Sequence, residues 1–345
     1  MENVVICGAA RTPIGGFQGA FDAVPAARLG GAAIEAALQQ TSLSSVDEVV
    51  MGNVLGAGQG QAPARQASFH AGLGAQVPAT TLNKMCGSGM KATMIGFDQI
   101  ALGETQVMAV GGMESMSNAP YLLPKMRGGA RLGHSQVADH MFLDGLEDAY
   151  ENGRLMGSFA EDCAEKYQFT REAQDDYALR SLIRAREAQS SGAFENEITP
   201  FNLARKKGDY AVMQDEQPLN AKPEKIPHLK PAFRADGSVT AANASSISDG
   251  AAALIVSSQT HMQQAGLPCR ARILGHASHA QEPAWFSTAP IFATRKLLDR
   301  LNWRVEDVDL WEVNEAFAVV PMAFMNELDI SGDIINVHGG ACALG

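Results

Sequence analysis

Short apolar runs alternate with stretches of helical periodicity through the first third of the chain. Residues 4–9 form one apolar run, broken by Gly8; 46–51, 80–85 and 107–111 form three more. Between them, 26–38 carries small and apolar residues at helical spacing, and a further helix runs from Cys86-Gly87-Ser88-Gly89 through Ala101. Apolar strands separated by helices mark an α/β fold whose sheet is mostly parallel and covered on both faces.

The rhythm lapses from Asn118-Ala119-Pro120 to about residue 246. That stretch holds a charged helix over roughly 170–190 and an irregular run punctuated by Pro218, Pro223, Pro227 and Pro231, so it reads as an insertion or cap. Strand character returns at 251–256, and a helix to Gly266 completes the first half. A second cycle follows: strand 271–277, helix 291–301, and strands 308–313 and 334–337. The chain therefore divides into an N-terminal half (1–118, completed by 247–268), an inserted segment (119–246) and a C-terminal half (269–345). Two echoes point to duplication: Val46-Asp47 with Val308-Asp309, and Leu82-Asn83 with Ile335-Asn336.

Charge narrows the function classes. A net charge of −11 argues against a nucleic-acid surface, and no apolar run reaches the length of a membrane span. The amino terminus shows no basic, apolar export signal, and the five cysteines are scattered and form no C-x-x-C pair. The expectation is a cytoplasmic enzyme without a disulfide framework or thiolate metal cage.

Cys86 sits where a strand gives way to a helix, in Asn-Lys-Met-Cys-Gly-Ser-Gly-Met (residues 83–90). The unpaired N–H groups and positive end of a helix favour thiolate over thiol, which is what an acyl-accepting nucleophile needs. Gly87 and Gly89 keep the corner narrow, so that a thioester carbonyl can approach backbone donors. The bland alternative is a cysteine packed as a small hydrophobe. A papain-like C-G-[SA]-C-[WY] pattern fails at Gly89 and Met90.

Five segments then resemble, in order, the signatures of thiolases: residues 83–90, Gly-Gly-Met-Glu-Ser-Met-Ser (111–117), the run 240–253, Asn-Glu-Ala-Phe-Ala (314–318) and 335–345, with Arg-Thr-Pro-Ile-Gly (11–15) at the start. Within that family the chain is most similar to the acetyl-CoA acetyltransferase group. The resemblance implies a five-layer αβαβα fold of two similar halves with a loop domain inserted over the substrate, the second half incomplete at Gly345. It implies acyl transfer between coenzyme A thioesters through acyl-Cys86, two acetyl-CoA exchanging reversibly with acetoacetyl-CoA and coenzyme A. Asn314 matches the residue that orders an oxyanion-hole water. Met156, Phe233, Ala241, Ser245, Ala316 and Phe317 match positions lining the pantetheine and acyl pocket. Coenzyme A is then substrate and product; no resident cofactor or metal is implied, and the partner is a second copy, in a homodimer or homotetramer. Read from its position at the end of strand 308–313, Asn314 is also a buried amide in need of partners.

The departures are specific. Leu155 stands where many members carry His, and Asp215-Glu216-Gln217-Pro218-Leu219 lacks an Arg that some place there for the nucleotide. The family continues past the point matching Gly345 with G-H-P and C-x-G-G-G segments that supply the catalytic His and the acid/base Cys. His338 and Cys342 lie ahead of those positions. The resemblance thus implies that these 345 residues, alone, sustain no turnover. Two rival readings remain, a β-ketoacyl synthase-like condensing enzyme and a non-catalytic coenzyme A-binding paralogue. Residues 201–235 carry seven Lys or Arg against four acids, either a solvated face or an attraction for phosphates.

Overall fold

The computed structural model describes residues 2–204 and 208–345; Arg205, Lys206 and Lys207 of the basic segment lie outside them. The chain forms two compact units. The first comprises Met1–Gly153, Asn196–Gln214 and Ser248–Ile273, and the second Arg154–Glu195, Asp215–Ile247 and Leu274–Gly345. Residues 119–246 contribute to both.

The first unit is built on one sheet: β1 (Val4–Arg11), β2 (Gly15–Gly16), β3 (Glu48–Gly52), β4 (Ala79–Leu82), β5 (Val107–Ser115), β6 (Ser248–Ser258) and β7 (Ala271–Ile273). The order is β7-β1-β6-β5-β3-β4, with β2 paired to β6. The pairs β3–β4 and β3–β5 are parallel, while β1–β6, β6–β5 and β1–β7 are antiparallel. The sheet is therefore mixed rather than mostly parallel. The alternation does run β1, β3, β4 and β5 in one direction; β6, arriving after the insertion, wedges between β1 and β5 in the other.

Period-two alternation decides which helix each strand side chain meets. Val49, Met51, Ala109 and Met113 join the core containing Leu29 and Ile34 of α1 (Ala26–Gln39) and Ala64 of α2 (Pro63–His70). Val50, Met108 and Val110 face the other way, onto Ala92 and Ile100 of α3 (Ser88–Leu102). Each fully buried Leu or Ile contributes about 1.5–3 kcal/mol. Gly52 and Gly111 permit close approaches within this sheet. A Cβ on Gly52 would lie 2.5 Å from Ser88 Cβ, and one on Gly111 2.1 Å from the Ala252 carbonyl oxygen.

The second unit is helical: α4 (Met156–Tyr167), α5 (Arg171–Ser191), α6 (Ala289–Leu301) and α7 (Val319–Leu328). The charged helix starts where its signals place it, since Thr170 Oγ1 accepts from the Ala173 N–H at 3.2 Å, and it ends at Gly192 with φ +78°. Ile291, Leu298, Trp311, Phe324 and Ile335 share one core, with Trp311 edge-on to Phe324 at 5.4 Å. The strands expected at 308–313 and 334–337 reduce, among the described residues, to isolated bridges such as Trp311 to Ile335. Strand 271–277 stops at Ile273, where its pairing with Ile6, Val5 and Val4 of β1 ends. No helix among the described residues is long and apolar enough to cross a membrane.

Candidate active site

The Cys86 corner belongs to the first unit. β4 ends at Leu82 and α3 begins at Ser88, so Cys86 lies in the connecting turn, two residues ahead of the helix. Asn83 Oδ1 accepts the Met85 N–H (2.8 Å), and Ser88 Oγ both accepts from the Lys84 N–H (2.8 Å) and donates to the Met85 carbonyl (2.6 Å). Met85 adopts φ +48°, the left-handed region that non-glycine residues avoid at a cost on the order of 1 kcal/mol or more. This strain, which no sequence signal announces, lies directly before the thiol.

The Cys86 residue is exposed, yet its thiol is raised above the ordinary cysteine value rather than lowered. Desolvation by the surrounding turn is the largest cause; the Cys86 backbone N–H opposes it, and the Glu114 carboxylate adds to it. The direction is opposite to the one the sequence suggests, and the nearby N–H groups are engaged elsewhere. The Gly87 and Ser88 N–H groups are spent on the Lys84 and Met85 carbonyls, at 3.1 and 3.0 Å. The close fit also differs from expectation: Cβ atoms at Gly87 and Gly89 would meet only ordinary contacts of 3.5 Å, and Gly52 beneath Ser88 is the tight position.

The other candidates lie in the second unit. Phe317 is buried; Met156, Phe233 and Ala316 are half-buried against the same core. Phe233 and Phe317 meet edge-on at 6.0 Å, and Phe233 lies so close to α4 that a Cβ on Gly157 would fall 2.3 Å from its ring. The Ser245 N–H donates to the Ala316 carbonyl (2.9 Å) and the Ala318 N–H to the Asn243 carbonyl (2.8 Å), which ties 243–245 to 316–318. Buried Glu161 of α4 accepts from the Ser238 and Val239 N–H groups, at 2.9 Å each, and from Ser238 Oγ (3.0 Å), fixing the turn that follows Phe233. Ala241 is exposed two residues before Asn243.

Asn314 is exposed, not buried. The residue after it takes the buried place. Glu315 is fully buried, and its carboxylate accepts from Tyr177 Oη (2.9 Å), Ser181 Oγ (2.7 Å), Asn336 Nδ2 (2.7 Å) and the Cys342 N–H (3.0 Å). Asn336, at φ +46°, also holds Val313: its Oδ1 accepts the Val313 N–H and its Nδ2 donates to the Val313 carbonyl, both at 2.8 Å. A carboxamide thus does for Val313 what a neighbouring strand would do. Burial and then the Glu315 charge push the Tyr177 hydroxyl up and hold it protonated. Burial and Glu315 likewise hold the Cys342 thiol protonated, and exposed His338 lies edge-on to Phe194 at 6.0 Å. Neither offers a substitute for an acid/base pair. Glu315 and Asn336 are the supports of this turn that the sequence reading passed over, although an acid inside an apolar motif was available as a signal.

The thiolase N-terminal domain model matches residues 4–260 and the thiolase C-terminal domain model residues 267–345. The chain is 48% identical over 349 aligned positions to an acetyl-CoA acetyltransferase of Pseudomonas aeruginosa, covering 100% of this chain and 88% of that protein. It is also 48% identical to acetyl-CoA acetyltransferase 2 of Arabidopsis thaliana, covering 100% and 86%. The crystal structure of Acat5 thiolase from Ascaris suum in complex with coenzyme A superposes with a TM-score of 0.94 at 39% identity, over 100% of this chain and 89% of that one. With the signature residues on these turns and both domain models matched in order, the chain belongs to the thiolase family.

Proposed function

We propose that the chain acts on coenzyme A thioesters by reversible Claisen condensation and thiolysis, two acetyl-CoA exchanging with acetoacetyl-CoA and free coenzyme A. The observation that carries this reading is the exposed Cys86 thiol on its strained turn. Cys86 Sγ attacks the acetyl carbonyl, its proton leaves to a base, and the bond to the coenzyme A sulfur breaks to release that thiol. The acetyl group then passes from Cys86 to the α-carbon of a second acetyl-CoA, which has lost a proton. Asn314 polarises a thioester carbonyl through an ordered water. Met156, Phe233, Ala241, Ser245, Ala316 and Phe317 line the pantetheine and acyl path, roofed by residues 119–246. Coenzyme A is substrate and product, a second copy of the chain is the expected partner, and the setting is cytoplasmic, in keeping with five unpaired cysteines.

The base is not among the groups described above. We assign it to the His and second Cys that the family places in segments beyond the motif at 335–345, and the acetyl-accepting step to the exposed Cys86 thiol. Mixing the protein with acetyl-CoA and measuring intact mass tests this. One acetyl increment, mapped to Cys86 and absent in Cys86→Ala, is the expected result. An increment on Cys269 or Cys163, or none at all, overturns the nucleophile assignment.

A further inference from the structure

Glu114 lies inside the motif at 111–117, and no role has been given to it. Alternation along β5 puts Met108 and Val110 on the sheet face that carries α3, so Gly112 and Glu114 share that face. Gly112 confirms it, since a Cβ there would lie 3.3 Å from Gly89 Cα in the first turn of α3. Glu114 therefore projects beside the turn that holds Cys86. Its carboxylate meets three donors, Asn53 Nδ2 (2.8 Å), the Val54 N–H (2.7 Å) and the Leu55 N–H (3.1 Å). Burial raises its carboxyl above the ordinary glutamate value, and the Val54 and Leu55 N–H groups work against that rise by favouring the ionised form. Asn83, two residues before the strained Met85, donates to the Val54 carbonyl at 3.4 Å, so the segment that Glu114 grips also holds the start of the cysteine turn. The charged groups bearing on Glu114 are His140, itself paired to Asp144 at 2.5 Å, and Asp249 of β6.

We propose that Glu114 is a positioning residue for Cys86: it pins the Asn53–Leu55 segment against the cysteine turn and sets its carboxylate on the side of the sheet that carries the thiol. This rests on Cys86 being the nucleophile. A protonated thiol is a poor target for oxidants and alkylating agents. Once deprotonated, a thiol of higher basicity is the stronger nucleophile and the poorer leaving group, which favours holding the acyl group.

The test is the rate of Cys86 alkylation by iodoacetamide against pH in the 345-residue chain, followed by peptide mapping. Removing a negative charge near a thiolate makes the thiolate easier to form. In Glu114→Gln the midpoint should therefore fall and alkylation at neutral pH should rise several-fold. Glu114→Asp restores the charge and should bring the midpoint back toward that of the native chain. Asn53→Ala, which removes one donor but no charge, should leave it in place. Glu114→Ser replaces the Gln variant if that fails to fold, with the same fall expected. A midpoint unchanged or raised in the uncharged variants, or lowered equally by Asn53→Ala, overturns the proposal. Alkylation reads the thiol whether or not acetyl-CoA acylates it, so failure of the acylation experiment is a separate result.

Discussion

The Cys86 turn and the Asn314 turn both present an exposed side chain, the one near half-buried Glu114 and the other next to buried Glu315, but they are held by different means. Around Cys86 the backbone does most of the positioning. β3 pairs with β4 over four residues and with β5 over five, and only then do Asn83, Ser88 and Glu114 close the turn. Around Asn314 there are only isolated bridges among the described residues, Trp311 to Ile335 and Ala244 to Phe317, and side chains take over: Asn336 pairs both polar groups of Val313, and Glu315 gathers four donors. A ladder spreads the work over many equivalent bonds, so losing one costs little. A buried carboxylate facing four donors concentrates it, and removing that group leaves several donors desolvated at once.

This difference orders the expected effects of substitution. The largest is on rate. Asn314→Ala should lower kcat for acetoacetyl-CoA thiolysis by roughly ten- to a thousand-fold, up to the loss of a direct oxyanion donor. The fold should be intact, because the exposed Asn314 side chain bears none of the packing. An unchanged kcat in a folded variant would remove Asn314 from the mechanism.

Next comes stability. Glu315→Gln keeps the shape but replaces an all-acceptor group with one that carries its own N–H donors, so at least two of the four partners lose their acceptor. Thermal unfolding should show a loss of about 2–3 kcal/mol. The smallest effect is at the other turn, where Ser88→Ala removes the two bonds of one hydroxyl and should cost about 1 kcal/mol. Equal losses from Glu315→Gln and Ser88→Ala would erase the distinction between a laddered and an unladdered turn.

Gly157→Ala sharpens the same contrast from the pocket side. The new methyl would push the Phe233 ring off α4, so KM for acetoacetyl-CoA should rise a few-fold with kcat little changed. A fall in kcat at constant KM would mean that Phe233 helps to orient the reacting centre rather than to bind.

Much was legible in the linear pattern. Most of the strand and helix order of the first unit, the extent of α5 near 170–190, and the motif turns are local consequences of periodicity and glycine. The family, too, was carried by short contiguous segments. What the pattern could not supply was the direction of β6, the exposure of Asn314, the reduction of strands 308–313 and 334–337 to isolated bridges, and the upward direction in which burial moves the Cys86 thiol. Each depends on partners distant in sequence: Glu114 acts on a segment 60 positions away, and Tyr177 reaches Glu315 across 138. Period and propensity report the conformation a segment favours by itself. Which amide is buried, which carboxylate finds donors and which thiol keeps its proton follow from what the fold sets beside them, and that was decided in three dimensions.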